Sequence, residues 1–171
     1  MFANQQIDLD ALPKISSVAL KHVSKDYFKI IILNKLFIYS VFIGLLVVGK
    51  FVIKKEPFHD NFISILSTVI IGCLLNFSVA FLSFKKRKYA LRDKDVIYSK
   101  GLIVNSITTV PISRIQHIEE SRSWLARKFN LATLKIFTAG ESGSDLKIDG
   151  LPLEEAKRIN DFLSTRVDEN N

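Results

Sequence analysis

Two apolar runs, residues 36–53 and 62–84, stand almost back to back early in the chain, and the cluster Lys85-Lys86-Arg87-Lys88 follows the second directly. No other feature restricts the fold as much. A helix rises 1.5 Å per residue, so runs of 18 and 23 residues give rods of about 27 and 34 Å, against a hydrocarbon core of about 30 Å. Both are expected to cross a membrane. Lys50 interrupts the first run close enough to its end to snorkel, and Asn34 and Lys35 mark its entrance. The short segment 54–61 leaves room only for a turn, so the two helices are expected to form an antiparallel hairpin with both chain ends on one side.

Basic flanks stay cytoplasmic. Lys21, Lys25, Lys29 and Lys35 precede the hairpin and Lys85, Lys86, Arg87, Lys88, Arg92 and Lys94 follow it, whereas the turn holds Lys54 and Lys55. Both termini are therefore expected in the cytoplasm. The first run lies some 30 residues in, with no Ala-x-Ala-like site behind it, which argues against a cleaved signal. The chain divides into a lead-in (1–29), the hairpin (30–84) and a soluble domain (85–171) that must be compact to hold a core.

The net charge of +7 suggests nucleic acid until its distribution is read. Residues 1–84 carry 8 basic and 5 acidic groups and residues 85–171 carry 16 and 12, so without the four cations at 85–88 the second half is neutral. The excess is membrane topology and attraction to anionic lipid, at about 1 kcal/mol per basic residue near the surface. Nucleic acid is not an expected partner. A single cysteine, Cys73, builds neither a disulfide nor a thiolate metal site within one chain; it reads as a small residue in a helix interface.

Along the second run Ser64, Thr68, Gly72, Asn76 and Ala80 recur every fourth residue, a stripe that lets another backbone approach. Ser40 and Gly44 repeat the spacing on the first run. The two small faces are expected to pack on each other within the hairpin; the alternative gives Asn76 a hydrogen bond to another subunit or protein. In the lead-in, Ile15, Val18, Ala19 and His22 line one side of a short interfacial helix, or the segment is unstructured.

From residue 88 the period shifts from helix to strand. Residues 89–92, 96–104, 107–112 and 114–121 are rich in Val, Ile, Thr and Tyr, with turns at Asp93-Lys94-Asp95 and Asn105-Ser106, a bulge at Gly101 and a strand end at Pro111. A short helix over 124–129 precedes strands 132–138 and 146–148, across the turn-rich segment 140–144. The chain closes with an amphipathic helix starting at Pro152: Leu153, Ala156, Ile159, Leu163 and Val167 form one stripe, Glu154 and Glu155 occupy the first turn and Arg166 the last. About six strands and a closing helix predict an α+β domain, an antiparallel sheet or barrel capped by one helix, on the plan of a pleckstrin-homology (PH) domain.

The stretch Val110-Pro111-Ile112-Ser113-Arg114-Ile115-Gln116-His117-Ile118, followed by Leu131-Ala132-Thr133-Leu134-Lys135-Ile136-Phe137-Thr138-Ala139-Gly140, resembles the signature of bacterial membrane proteins with a PH-like domain, the YdbS-like group. The resemblance takes in the hairpin and the closing helix, departing at Ser121-Arg122-Ser123-Trp124, where similar proteins have a glycine-containing turn. It implies a bacterial plasma membrane protein found beside a larger membrane protein with repeated PH-like domains. Some relatives look like tolerance factors against membrane-active bacteriocin peptides.

No catalytic constellation is legible. His22, His59 and His117 are scattered, and no metal-ligand spacing, nucleophile elbow or phosphate-cradling glycine loop occurs. His117 and Glu119 share a strand face, where a sheet-edge pair is a simpler reading than an acid–base or metal pair. The first hairpin turn, Arg92-Asp93-Lys94-Asp95, has no net charge and does not suit an inositol phosphate. The segment Arg122-Ser123-Trp124-Leu125-Ala126-Arg127-Lys128-Phe129 offers two readings: Trp124, Leu125 and Phe129 fill the core, which is preferred on size, or they form with Arg122, Arg127 and Lys128 a surface for lipid or a partner. The favoured function is a membrane-anchored interaction module without cofactor or enzyme activity, meeting a second membrane protein or another copy of itself. A lipid sensor using Arg122, Arg127, Lys128 and the 85–88 cluster is the alternative.

Overall fold

The structure, a computed structural model, describes residues 18–53, 56–138 and 146–170. The apolar runs form helices α1 (Asp26–Val52) and α3 (Phe62–Lys85), linked through the short α2 (Glu56–Asp60). Their most apolar windows have a mean hydropathy of 2.3 and are 6% and 0% buried. A core helix of a soluble protein would be covered, so the uncovered apolar surface fits a lipid environment. The helices meet antiparallel. Phe28 lies against Phe77, Phe81 and Phe84 at one end, and the Lys50 ammonium sits 4.6 Å from the centre of the Phe62 ring at the other.

This seam is not the one expected from the small residues. A Cβ added to Gly44 or Gly72 would meet nothing within 4 Å, Ser40 and Thr68 bond only to carbonyls of their own helices, and all four are exposed. The aromatic contacts set the rotation of α3, turning Phe62, Cys73 and Phe77 toward α1. Gly72 is one residue from Cys73 and so about 100° around the helix. Asn76, at the edge of the seam, accepts from Lys35 Nζ at 2.6 Å and Tyr39 OH at 2.9 Å, both on α1.

The soluble part has seven strands among the described residues. Sheet one runs β1 (Lys21–His22), β2 (Lys88–Leu91), β3 (Asp95–Lys100) and β4 (Ser106–Pro111); sheet two runs β5 (Ile115–Ser121), β6 (Leu131–Thr138) and β7 (Leu146–Pro152), every neighbouring pair antiparallel. A single 3-10 turn (Ile112–Arg114) joins the sheets, α4 (Trp124–Lys128) lies between β5 and β6, and α5 (Leu153–Asn170) closes the chain. Both sheets and α5 share one core, in which Val96, Tyr98, Leu134, Ile136, Ile148, Leu151 and Leu163 are at most 2% exposed. A four-strand and a three-strand sheet with a closing helix is the PH-like plan expected. β3 is shorter than its apolar run, ending at Lys100 with residues 101–105 forming the connecting loop.

β1 comes from ahead of the membrane hairpin, with Lys21 opposite Tyr89 and His22 opposite Lys88. Residues 18–22 are therefore not an interfacial helix: 18–20 are irregular, and Lys21 and His22 pair with the edge that β2 presents; Ile15 and the rest of 1–17 lie outside the described residues. The hairpin is an insertion between the first two strands of the sheet, and the boundaries drawn at 29 and 85 are both crossed by sheet pairing. The turn-rich segment 140–144 is likewise outside the described residues.

Candidate interaction surface

Because the hairpin enters and leaves between paired strands, its first helix begins inside the soluble fold. α1 starts ten residues ahead of the apolar run. Ile30 is buried with Ala126 and Leu131, Tyr27 packs on both core clusters, and the Ser24 N–H donates to the Gly150 carbonyl at 2.9 Å. Gly150 has φ +80°, and a Cβ there would fall 2.4 and 2.6 Å from Tyr27 Cγ and Cβ, so only glycine lets β7 touch the helix.

A polar cluster seals this junction. Arg87, between α3 and β2, lies 3.7 Å from Asp149 of β7 and 5.6 Å from the Tyr27 ring centre, and its Nη1 is 3.5 Å from the Tyr27 hydroxyl. Thr133 Oγ1 donates to Asp149 at 3.0 Å and Lys147 pairs with it at 3.3 Å. Lys21 of β1 grips Glu155 of α5, with Nζ 2.6 and 2.8 Å from the two carboxylate oxygens. Burial alone would raise the Glu155 carboxyl, but the Lys21 ammonium, the Tyr89 hydroxyl and the Arg158 charge together outweigh it and hold the group below its ordinary value.

These contacts sort the basic residues marked in the sequence. Arg87 is half-buried and turned inward, because Asp149 and the Tyr27 ring offer it partners that water does not. Arg122 is also engaged, donating from Nε to the Leu131 carbonyl at 3.1 Å. Neither is a free surface cation. Lys85, Lys86, Arg127 and Lys128 are exposed, and Lys88 is half-buried within β2.

Trp124 was expected in the core and is 71% exposed. Ser123 caps α4 by accepting from the Ala126 N–H at 3.2 Å, which directs Ala126 inward and leaves Trp124 outside. The small Ala126 fills the space beside Ile30 that an indole would overfill. Trp124, Leu125, Lys128 and Phe129 instead form one wall of an open groove of about 450 Å³ whose other wall is Leu33, Asn34 and Phe37 of α1. Leu33, Phe37, Ser40 and Gly44 fall at helical spacing and all four are exposed, so the α1 wall of the groove continues as one open face along the helix.

His117 and Glu119 resolve into separate sheet contacts. His117 stacks on Phe137 across β5 and β6 with ring centres 4.1 Å apart, and Glu119 bonds to Lys135 at 2.8 Å. Among the described residues no group of three or more His, Cys, Asp and Glu side chains could hold a metal ion.

A PH-like sandwich built around a two-helix hairpin defines a class of membrane-anchored domain. The family model for the bacterial PH domain matches residues 29–167, and the chain belongs to that family. It is 32% identical over 146 residues, 83% of this chain and 89% of the relative, to the UPF0699 transmembrane protein YdbS of Bacillus subtilis (strain 168). No solved structure gives a significant match.

Proposed function

We propose that this protein is a non-catalytic, membrane-anchored interaction module, its hairpin crossing a bacterial plasma membrane with both termini cytoplasmic and its outer face assembling with another membrane protein. The observation that carries this reading is the exposed Trp124 beside the Leu33 end of the Leu33-Phe37-Ser40-Gly44 face. Tryptophan is the residue most enriched where partners bind, and small residues below it let a partner helix approach closely. Anchoring in one plane raises the effective concentration of the two proteins. The YdbS-like resemblance supports a larger PH-repeat membrane protein as the partner and tolerance of membrane-active peptides as the process served. Another copy of this chain is the other occupant the face would accept.

The test is to tag the C-terminus, solubilise native membranes in mild detergent and identify by mass spectrometry what co-purifies at near-equal amount. A stoichiometric membrane protein lost on Trp124→Ala or Gly44→Leu is expected. Recovery of the protein alone or with lipid only would replace this reading with a lipid sensor, for which the exposed Lys85, Lys86, Arg127 and Lys128 would supply the charge.

A further inference from the structure

β2 leaves the end of α3 at Lys88 and pairs with β3 so that Lys88 lies opposite Ser99. β3 therefore returns toward the helix termini, and β4 starts from the same end, with Ser106 opposite Lys100. The loop 101–105 hangs from the edge of the sheet from which α1 and α3 depart. Strands are about 4.8 Å apart, so the loop lies within roughly 10 Å of the line of β2. The turn around Asp93 and Lys94 is at the opposite end.

The two ends differ in chemistry. The distal turn is charged, while the loop reads Gly101-Leu102-Ile103-Val104-Asn105. Ile103 is 91% exposed, Val104 78%, and Ile107, the next apolar residue up β4, 44%. Ile103 and Val104 are turned outward, with Leu102 half-buried beside them, by a tightly closed backbone. Gly101 has φ +109°, and a Cβ there would fall 1.9 Å from the Val104 carbonyl oxygen. Lys100 beside the loop, and Lys85 and Lys86 at the end of α3, are exposed cations at the same level.

We propose that residues 102–104 insert into the headgroup and upper acyl region of the leaflet from which the helices emerge, a third membrane contact that fixes the tilt of the domain. This rests on the reading that the hairpin spans the bilayer. Lipid is favoured over a protein occupant because the tip has neither the aromatic or guanidinium anchors nor the groove that protein partners use. Aliphatic side chains between lysines match acyl chains beneath anionic headgroups.

The full chain carrying Cys73→Ser is reconstituted in bilayers of phosphatidylethanolamine and phosphatidylglycerol, with bimane attached in turn at Ile103→Cys, Asp93→Cys and Leu45→Cys. Emission at Ile103→Cys is expected to be blue-shifted and quenched severalfold more than at Asp93→Cys by lipid bearing a nitroxide high on its acyl chain, and to revert when Leu102→Ser and Val104→Ser are added. Equal quenching at the two sites, with Leu45→Cys strongly quenched by a deep nitroxide, would overturn the insertion while leaving the hairpin reading intact. Quenching that survives the serine pair would show that the dye itself partitions and would also overturn it. An unquenched Leu45→Cys would remove the hairpin reading and the insertion with it.

Discussion

The base of the hairpin and its middle are built differently. At the end next to the sheets, Tyr27, Phe28, Ile30, Phe84 and Arg87 are knit into aromatic, aliphatic and ionic contacts that join α1, α3 and β7. Further along the helices, Gly44 and Gly72 face open space and the exposed surface is mostly apolar, Phe42 and Phe51 included. The first region holds the helices to the domain, whereas the second keeps its surface available. In lipid, helix association gains little from apolar burial because the solvent is itself apolar. The fold places its order where water, the sheets and the helices meet.

Breaking the junction should produce the largest effects. Gly150→Val puts a branched side chain at a positive φ and into the Tyr27 ring, and a loss of about 2–4 kcal/mol is expected, read as a fall in the thermal midpoint of the purified chain. Arg87→Met leaves the half-buried Asp149 with Thr133 and Lys147 only; a loss of about 1–2 kcal/mol is expected, while Lys86→Met, on an exposed cation, should change stability little.

Smaller effects sharpen the contrast. Because the Glu155 carboxyl titrates below its unfolded value, its pair with Lys21 stabilises the fold above the ordinary carboxylate range and is lost as pH falls through the lowered folded value. Glu155→Gln should therefore cost up to about 1 kcal/mol near neutral pH, with Lys21 largely exposed and screened, and flatten the acid side of a stability profile. In the open region, Asn76→Leu removes the acceptor of Lys35 and Tyr39 and should cost about 0.6 kcal/mol in detergent. Gly72→Ala should be close to neutral, since the added methyl meets nothing.

Periodicity made most of this legible in advance. The two apolar runs, the strand-rich stretch and the closing amphipathic helix all carry repeats that depend on one element alone, and each forms. Rotation about a helix axis does not follow from composition: the small stripe suggested a seam, but Phe28 packing on Phe77, Phe81 and Phe84 decided which face turned inward. β1 was hidden because two residues carry no detectable alternation, and its partner lies more than sixty positions away across the membrane segment. Trp124 was misplaced by size; Ser123 as a cap three residues ahead of Ala126 was the available signal. The run Leu102-Ile103-Val104 between a glycine and an asparagine could have been read as a loop rather than the end of a strand.

The central claim is that the hairpin is inserted within the PH-like sheet, so that strands on either side of it are paired. The direct measurement is disulfide formation in membranes between His22→Cys and Lys88→Cys, in a Cys73→Ser background, detected as a linked peptide by mass spectrometry. Rapid, nearly complete linkage is expected, because the two residues face each other across β1 and β2. Linkage no faster than for His22→Cys with Asp93→Cys, at the far end of the sheet, would contradict the account.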